Sequence, residues 1–260
     1  MGIDCLVERM NLAIIIPAHN EENRIGKTLA AYSSYFSYLA RKKILNYMLL
    51  IVINSTTDRT EEIVKKAMRK ESRMQCLIRQ GEGKGYAVLE GFRSALEKNY
   101  DCIGFVDADG AISPREFYKL VKYLGKKKFD AAIGSRYLKG SIVKPQPLPR
   151  IVASRLYNLI ARVLFFMPYR DTQCGAKVFR SRSLSAIISK PISLAWSFDV
   201  DMLYYLRKKG YSISEVPIRW TDKKNSKFNL FRNGLHMIYS LIYTRLLNSP
   251  LMPLFSHKTL

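Results

Sequence analysis

Two aspartates separated by one residue, Asp107 and Asp109 in Asp107-Ala-Asp-Gly110, follow the apolar run Cys102–Val106. Carboxylates at alternate positions past a strand end can converge on one hard cation, and a cation held that way can clamp a diphosphate. The same residue types also build an ordinary Asx turn, so the pair alone leaves both readings open. Gly81-Glu-Gly-Lys-Gly85 is a second polar element. Its glycines let backbone N–H groups approach a phosphate, and Lys84 adds a point charge. Gly85 stands where a P-loop needs Ser or Thr, and Tyr86 where G-x-G-x-x-G needs its third glycine, so a plain turn stays the alternative. Asp171-Thr-Gln-Cys-Gly-Ala-Lys-Val-Phe179 reads as a polar loop running into a strand. Asp199 and Asp201 follow Trp196-Ser-Phe198, where Ser197 or Asp199 could cap a helix as readily as serve chemistry. His19, His236 and His257 form no set with Ser or Cys, which leaves triad chemistry without support. Cys5, Cys76, Cys102 and Cys174 are scattered, without zinc spacing, and read as reduced and buried.

These motifs sit between strands and helices in alternation. Leu12–Ile16 is a continuous apolar run broken by Pro17-Ala-His-Asn-Glu-Glu22, and Ile25–Leu39 has helical spacing. Tyr47–Ile53 is a second buried strand, followed by the loop Asn54–Thr60 and a helix from Glu61 to Met68. Cys76–Ile78, the glycine loop, a helix over Tyr86–Lys98 and the strand Cys102–Val106 continue the series. Strands without polar alternation, separated by helices, predict a parallel sheet covered on both faces, with ligands beyond the carboxyl ends of the strands. The polar segments Pro17–Glu22, Asn54–Thr60, Gly81–Gly85 and Asp107–Gly110 fall there. Later, Ala131–Arg136 reads as a strand and its exit, and three prolines exclude helix from Lys144–Pro149. Leu156–Phe166 is apolar on nearly every face except Asn158 and Arg162, and Leu235–Leu247 mixes aliphatics and tyrosines with polar breaks.

The chain has 260 residues and a net charge of +22, from 43 Lys+Arg against 21 Asp+Glu. Average apolar (48%) and charged (25%) fractions exclude a disordered or collagen-like chain. Residues 119–170 carry twelve basic residues and one acidic, and 202–260 ten basic and two acidic, whereas the first 118 are almost neutral. Apolar helices interleaved with Lys and Arg predict interfacial elements on an anionic bilayer. A nucleic-acid partner is not expected: it would want basic residues near the sheet motifs and would leave the aspartate pair unexplained. No secretory signal is visible, and the longest uncharged run, Ile44–Thr57, is 14 residues against the about 18 that mark a spanning helix. The expected location is the cytoplasmic face of a membrane, held peripherally, with no transmembrane helix.

Taken in order, these segments resemble the inverting family-2 glycosyltransferases of the GT-A fold, and within them the dolichyl-phosphate β-glucosyltransferases and related polyprenyl-phosphate sugar synthases. The resemblance runs from Ile14–Glu22 through Gly83–Gly85, Asp107–Gly110, Gly134–Arg136, Arg170–Gly175, Phe198–Asp201 and Glu215–Trp220 to Ser226-Lys227. It implies an α/β fold, Rossmann-like and mostly parallel with helices on both faces, plus amphipathic interfacial helices in the C-terminal half. The catalytic domain would span 1–230, with a nucleotide-binding half to about 118 and an acceptor half over 119–230, and 231–260 would associate with the membrane.

The resemblance also implies roles. Pro17, Ala18, His19 and Glu21 would line the nucleotide pocket, and Asn54 would face the base. Asp107, Ala108 and Asp109 would form the D-x-D element, its carboxylates holding Mg²⁺ or Mn²⁺ on the donor diphosphate beside Lys84 and Lys227. Arg136, Arg150 and Ser154 would hold the phosphate of a dolichyl or polyprenyl acceptor, and Asp171, Gln173, Cys174 and Gly175 would close the sugar pocket. Asp199 would have a supporting role, becoming the base if the acceptor were a sugar hydroxyl. The chain departs from the family where Ile53-Asn54 replaces a pair of aspartates. Gly110 and Gln173-Cys174 tilt the donor toward a UDP-sugar, glucose before N-acetylglucosamine, over GDP-mannose. Oligomeric state has no sequence signal.

Overall fold

A computed structural model describes residues 10–126, 129–193, 197–221 and 230–247. Its first half follows the predicted alternation: β1 (Met10–Ala18), α1 (Ile25–Arg41), β2 (Leu45–Asn54), α2 (Thr60–Met68), β3 (Met74–Arg79), α3 (Lys84–Leu96) and β4 (Cys102–Val106). Then come α4 (Pro114–Lys126), β5 (Ala131–Ser135), β6 (Ile142–Val143), α5 (Leu148–Phe165), β7 (Ala176–Arg180) and α6 (Ser181–Ser185). The chain continues with α7 (Phe198–Lys208), β8 (Ile213–Pro217), β9 (Arg219–Trp220) and α8 (Leu230–Leu247).

The main sheet has the order β3-β2-β1-β4-β7-β5-β8. All its pairings are parallel except those of β7, which runs antiparallel to both β4 and β5. The uninterrupted apolar strands are explained by burial on both faces. Along β1, Leu12, Ile14 and Ile16 face a core with Phe36 of α1 and Phe117 of α4, while Ala13 and Ile15 face the opposite core with Phe92 of α3 and Phe198 of α7. The parallel strands therefore end along one edge, at Ala18, Asn54, Arg79, Val106 and Ser135, and β7 enters the sheet from that same edge. A small parallel pair, β6 with β9, lies beside it, and Trp220 bridges to Ile112.

The proline-rich segment differs from expectation at its end. α5 begins at Leu148 and takes Pro149 into its first turn, where the missing N–H would have had no partner. The helix buries Tyr157, Asn158, Ala161 and Phe165. Leu148, Val152, Leu156, Leu159, Val163 and Phe166 stand 51–75% exposed at three- and four-residue spacing. The nearly all-round apolar sequence is thus two stripes, one facing the core and one facing out. α8 packs against α5, burying Leu241 with Val200 and Leu203 of α7, and it exposes Tyr239, Ile242, Tyr243 and Leu246.

Polar contacts fasten α8 as well. The Ser197 and Ser240 hydroxyls are 2.6 Å apart, and Thr244 hydrogen-bonds the Asp201 carboxylate. Asp201 is fully buried; its Oδ2 accepts from Ser193 N (2.8 Å), and its Oδ1 has no hydrogen-bond partner among the described residues. Burial, reinforced by the charge of Asp199, lifts its pKa to about 7. An unfolded aspartate titrates near about 4, so between these values the folded chain keeps a proton that the unfolded chain gives up, and stability falls as pH rises through that window. Asp201→Asn is expected to flatten the urea-unfolding free energy across this window and to exceed the parent's stability at about pH 8. An unchanged pH profile would assign the effect elsewhere.

Candidate active site

The aspartate pair lies where β4 leaves the sheet. Asp107 N donates to the Gly175 carbonyl (3.0 Å), so the loop before β7 lies directly against it. A Cβ on residue 175 would stand 2.0 Å from Asp107 Oδ2, and glycine is what lets this carboxylate sit so close to the backbone. Asp107 Oδ1 is 2.5 Å from Lys84 Nζ, an ion pair without the angles of a hydrogen bond. Asp109 Oδ1 accepts from Ala111 N (2.8 Å), so the Asx turn of the alternative reading is present at this residue. Burial and the Asp107 charge raise the Asp109 pKa, opposed by the Ala111 N–H and by Arg24. Two neighbouring carboxylates with one ammonium, paired to Asp107, are a site that gains from a divalent cation. Among the described residues no third His, Cys, Asp or Glu joins them. That donor set suits an ion that keeps waters and takes its remaining ligands from a substrate diphosphate, as Mg²⁺ does.

Beneath the pair lies a second layer of charge. Gly83 has φ 89°, the left-handed region that favours glycine, and turns the chain into α3 so that Lys84 is its first residue. The Lys84 ammonium lies 5.3 Å from the Phe105 ring centroid and 5.7 Å from that of Phe198. Burial alone would depress its pKa, but the fields of Asp107 and Asp199 hold it above the usual value. Lys177, fully buried, approaches the same Phe105 ring (5.3 Å) and donates to Asp199 Oδ1 (2.5 Å) and the Cys174 carbonyl (2.9 Å). Asp199 is 2% exposed; burial raises its pKa against the pull of Lys177 and Lys84. Sequence reasoning did not single out Lys177. Its signal was a lone cation inside the otherwise apolar start of β7.

On the acceptor side, Arg136 is fixed by Asp171. Its Nε and Nη2 fork onto the two carboxylate oxygens (2.7 and 2.9 Å), and its backbone N–H donates to Oδ2 (2.9 Å). Asp171 is fully buried, and the Arg136 charge outweighs burial to hold its pKa below the ordinary range. This corrects two expectations. Asp171 and Cys174 do not line a sugar pocket: the first is consumed by Arg136, and the second is 1% exposed, its thiol pushed up to about 12 by burial. They shape the loop from below, while Gln173 is half-buried and reaches the Tyr157 hydroxyl (3.3 Å). Arg136 in turn keeps three of its five N–H donors for other partners. Ser154 Oγ lies 2.7 Å from the Tyr137 hydroxyl, and Arg150 is half-buried in the first turn of α5.

At the donor end, Pro17 and Ala18 close β1, and His19 Nδ1 donates to the Asn54 carbonyl (2.8 Å). The Asn54 side chain is buried; it accepts from Gly81 N (3.1 Å) and donates to the Gly83 carbonyl (3.3 Å), so it pins the glycine loop. Glu21 forks onto Arg24 (2.6 and 2.5 Å). Ala108 is buried, and its carbonyl accepts from the Thr28 hydroxyl (2.7 Å). Asp58, unread in the sequence, ties these loops together. Hydrogen bonds from Thr60, Glu22 N and Thr56 overcome burial and hold its pKa at about 2. Lys227 lies outside the described residues.

A carboxylate pair at a strand exit, with a lysine-headed glycine loop beside it on the carboxyl edge of this sheet, defines a GT-A glycosyltransferase. The chain belongs to glycosyl transferase family 2, whose sequence profile matches residues 13–188. Among curated relatives, a dolichyl-phosphate beta-glucosyltransferase of Drosophila melanogaster is 30% identical over 242 residues, covering 88% of this chain and 72% of the relative. A polyprenol monophosphomannose synthase of Mycolicibacterium smegmatis is 30% identical over 214 residues, covering 81% and 77%. The fold is shared with glucosyl-3-phosphoglycerate synthase of Mycobacterium tuberculosis, solved with Mn²⁺, UDP and glucosyl-3-phosphoglycerate. The TM-score is 0.68 at 16% identity, over 94% of this chain and 81% of that one. The expected family, fold and glycosyltransferase class are thereby borne out.

The buried Lys177–Asp199 pair yields a prediction. Lys177→Met is expected to cost about 3–5 kcal/mol in urea unfolding, because the buried Asp199 carboxyl loses its ion-pair partner. Adding Asp199→Leu should recover much of that loss. Additive losses in the double variant would mean that the two groups do not interact.

Proposed function

We propose that the protein transfers a sugar, glucose in the first instance, from a UDP-sugar to the phosphate of dolichol or another polyprenol, with inversion at the anomeric carbon. The observation that carries the reading is the meeting, on one sheet edge, of Asp107, Asp109 and Lys84 with an acid-free basic segment bearing an exposed apolar helix. The names of the Drosophila and mycobacterial relatives support the same acceptor class. Their sugars differ, so the donor is what the assay must name.

In this reading Asp107 and Asp109 hold Mg²⁺ or Mn²⁺, which when bound neutralises the leaving diphosphate. Lys84 adds its charge at the N-terminus of α3, where unpaired backbone N–H groups also favour an anion. The Gly81–Gly85 loop, pinned by Asn54, sets that N-terminus in place before substrate arrives, so little reorganisation is needed during reaction. The nucleophile is a phosphomonoester, already largely ionised at neutral pH with its second pKa near ~6, and needs placing more than deprotonating. Asp199, buried and paired with Lys177, then supports the charge of the site from below. A hydroxyl acceptor would instead ask Asp199 to act as base.

The membrane belongs to the same proposal. Residues 131–170 contain seven basic residues and no acidic one. α5 and its C-cap Phe166 present a stripe of six exposed apolar side chains, and the neighbouring α8 presents four. A basic surface with an apolar ridge suits an anionic bilayer. No helix among the described residues is long and apolar enough to cross a membrane. The functional division follows: donor residues up to about 118, acceptor residues over 119–230, and membrane attachment involving 231–260, of which 248–260 lie outside the described residues.

The test is transfer from labelled UDP-glucose, UDP-N-acetylglucosamine or GDP-mannose to polyprenyl phosphate with Mg²⁺ or Mn²⁺. Metal-dependent label in the lipid phase is expected, strongest with UDP-glucose, and Asp109→Ala should lower it at least about a hundredfold while UDP-independent stability is retained. Label appearing only on a water-soluble glycan would overturn the acceptor. Full activity in Asp109→Ala would overturn the metal site.

A further inference from the structure

Asp107 and Asp109 leave the sheet after β4, and Arg136 leaves it after β5. These strands are not neighbours: β7 runs between them, so the two exits stand two strand spacings apart, roughly 10 Å. The loop entering β7 touches both, with Gly175 at Asp107 and Asp171 at Arg136. A second segment also spans the gap. The chain leaving β8, on the far side of β5, turns back as β9 and reaches the turn that follows β4. There Trp220 pairs antiparallel with Ile112, and Thr221 N donates to the Ala111 carbonyl (3.0 Å). Ala111 N is the donor to Asp109 Oδ1 (2.8 Å), so one residue stands between this segment and the carboxylate.

The segment is fastened along its length. Ile218 N donates to the Ser135 carbonyl (3.4 Å), Arg219 N donates to Glu116 Oε2 (2.8 Å), and the Trp220 carbonyl accepts from Lys144 N (3.2 Å). The Trp220 ring is 8% exposed, and its centroid lies 5.8 Å from the guanidinium carbon of Arg136. Tyr137 approaches the same guanidinium at 5.3 Å. The Asp171 carboxylate sets where that group lies. The two rings limit its tilt, and so aim the N–H groups that Asp171 leaves free. We propose that Trp220 is a positioning residue of the transfer reaction, holding the Asp109 turn and the Arg136 guanidinium in one fixed relation. The proposal rests on the reading above, with the metal on the aspartates and the acceptor phosphate at Arg136. It gives a task to a residue that need not touch either substrate. Donor and acceptor are held by different loops, so a tie between those loops sets the distance between the reacting atoms. A displacement of about 1 Å at such a distance can cost about a hundredfold in rate.

The experiment is steady-state transfer from UDP-glucose to a ten-carbon prenyl phosphate, short enough to stay in solution, at a temperature where circular dichroism shows each variant folded. Trp220→Leu is expected to lower kcat about tenfold to a hundredfold with the KM for UDP-glucose unchanged. Trp220→Phe, which keeps a ring face toward Arg136, should retain at least about a third of kcat. Calorimetric binding of UDP with Mn²⁺ should match the parent in both. Parent-like kcat in Trp220→Leu, with only a lower unfolding temperature, would make the residue structural and overturn the proposal. A raised KM for UDP-glucose with kcat intact, or equal losses of kcat in the Phe and Leu variants, overturns it too. Amide hydrogen exchange on the parent chain needs no variant and decides the matter if Trp220→Leu does not fold. The Thr221 N–H is expected to exchange at least about a hundredfold more slowly than in an unfolded chain, and free exchange there overturns the tie. A parent chain with a protected Thr221 amide and no transfer to prenyl phosphate overturns the proposed reaction and leaves the tie standing.

Discussion

The site depends on two ion pairs, Asp107–Lys84 and Lys177–Asp199, that meet at one phenylalanine. Asp107, Lys84, Lys177 and Asp199 follow one another from the surface inward, with both ammonium groups against the Phe105 ring. Each carboxylate has an ammonium within ion-pairing distance, which is the condition for keeping such groups ionised away from water. Removing any one of the four changes the charge felt by the others, because screening is weak at this depth. The arrangement also explains why a sheet otherwise parallel contains β7. An antiparallel strand enters from the site edge, so Gly175 can meet Asp107 and, two residues on, Lys177 can sit beneath it.

Much of the first half was legible because one physical signal dominated it. Uninterrupted apolar runs of strand length, each followed by polar loop and helical spacing, allow little besides a covered parallel sheet, and β4 has the predicted bounds, Cys102–Val106. The second half mixed two causes of apolarity. In α5 the residues that contact the core and those that face outward are both apolar, so periodicity is blurred and the apolar run Leu156–Phe166 marks only the later part of the helix. Pro149 hides the start, since proline forbids helix in the interior yet is tolerated in the first turn.

The site residues divide along similar lines. Asp107, Asp109 and Lys84 were readable from type and spacing, for their motifs are short and local. Arg136 entered through the family resemblance, but its bidentate grip on Asp171 spans 35 residues and exists only in the folded chain. Asp171 and Cys174 came to the sugar pocket through the family resemblance alone, and that carries no signal of depth; both are buried and support the loop from beneath. Lys177 is obscured because it is a cation hidden in a core strand, and only the fold shows that Asp199, 22 residues on, is its counter-charge.

Gly175 contributes to the site by an atom it lacks. The space next to its α-carbon is filled by Asp107 Oδ2, so the depth of that carboxylate is set by a hydrogen. Substitutions at a functional side chain can be ranked by chemistry, with isosteres retaining some activity and unlike groups none. At position 175 no such ranking exists, because every other L-residue begins with the same carbon. A survey of variants would therefore find this residue as intolerant as the aspartates, although it has no charge and no side chain and would be passed over by any search for reactive groups.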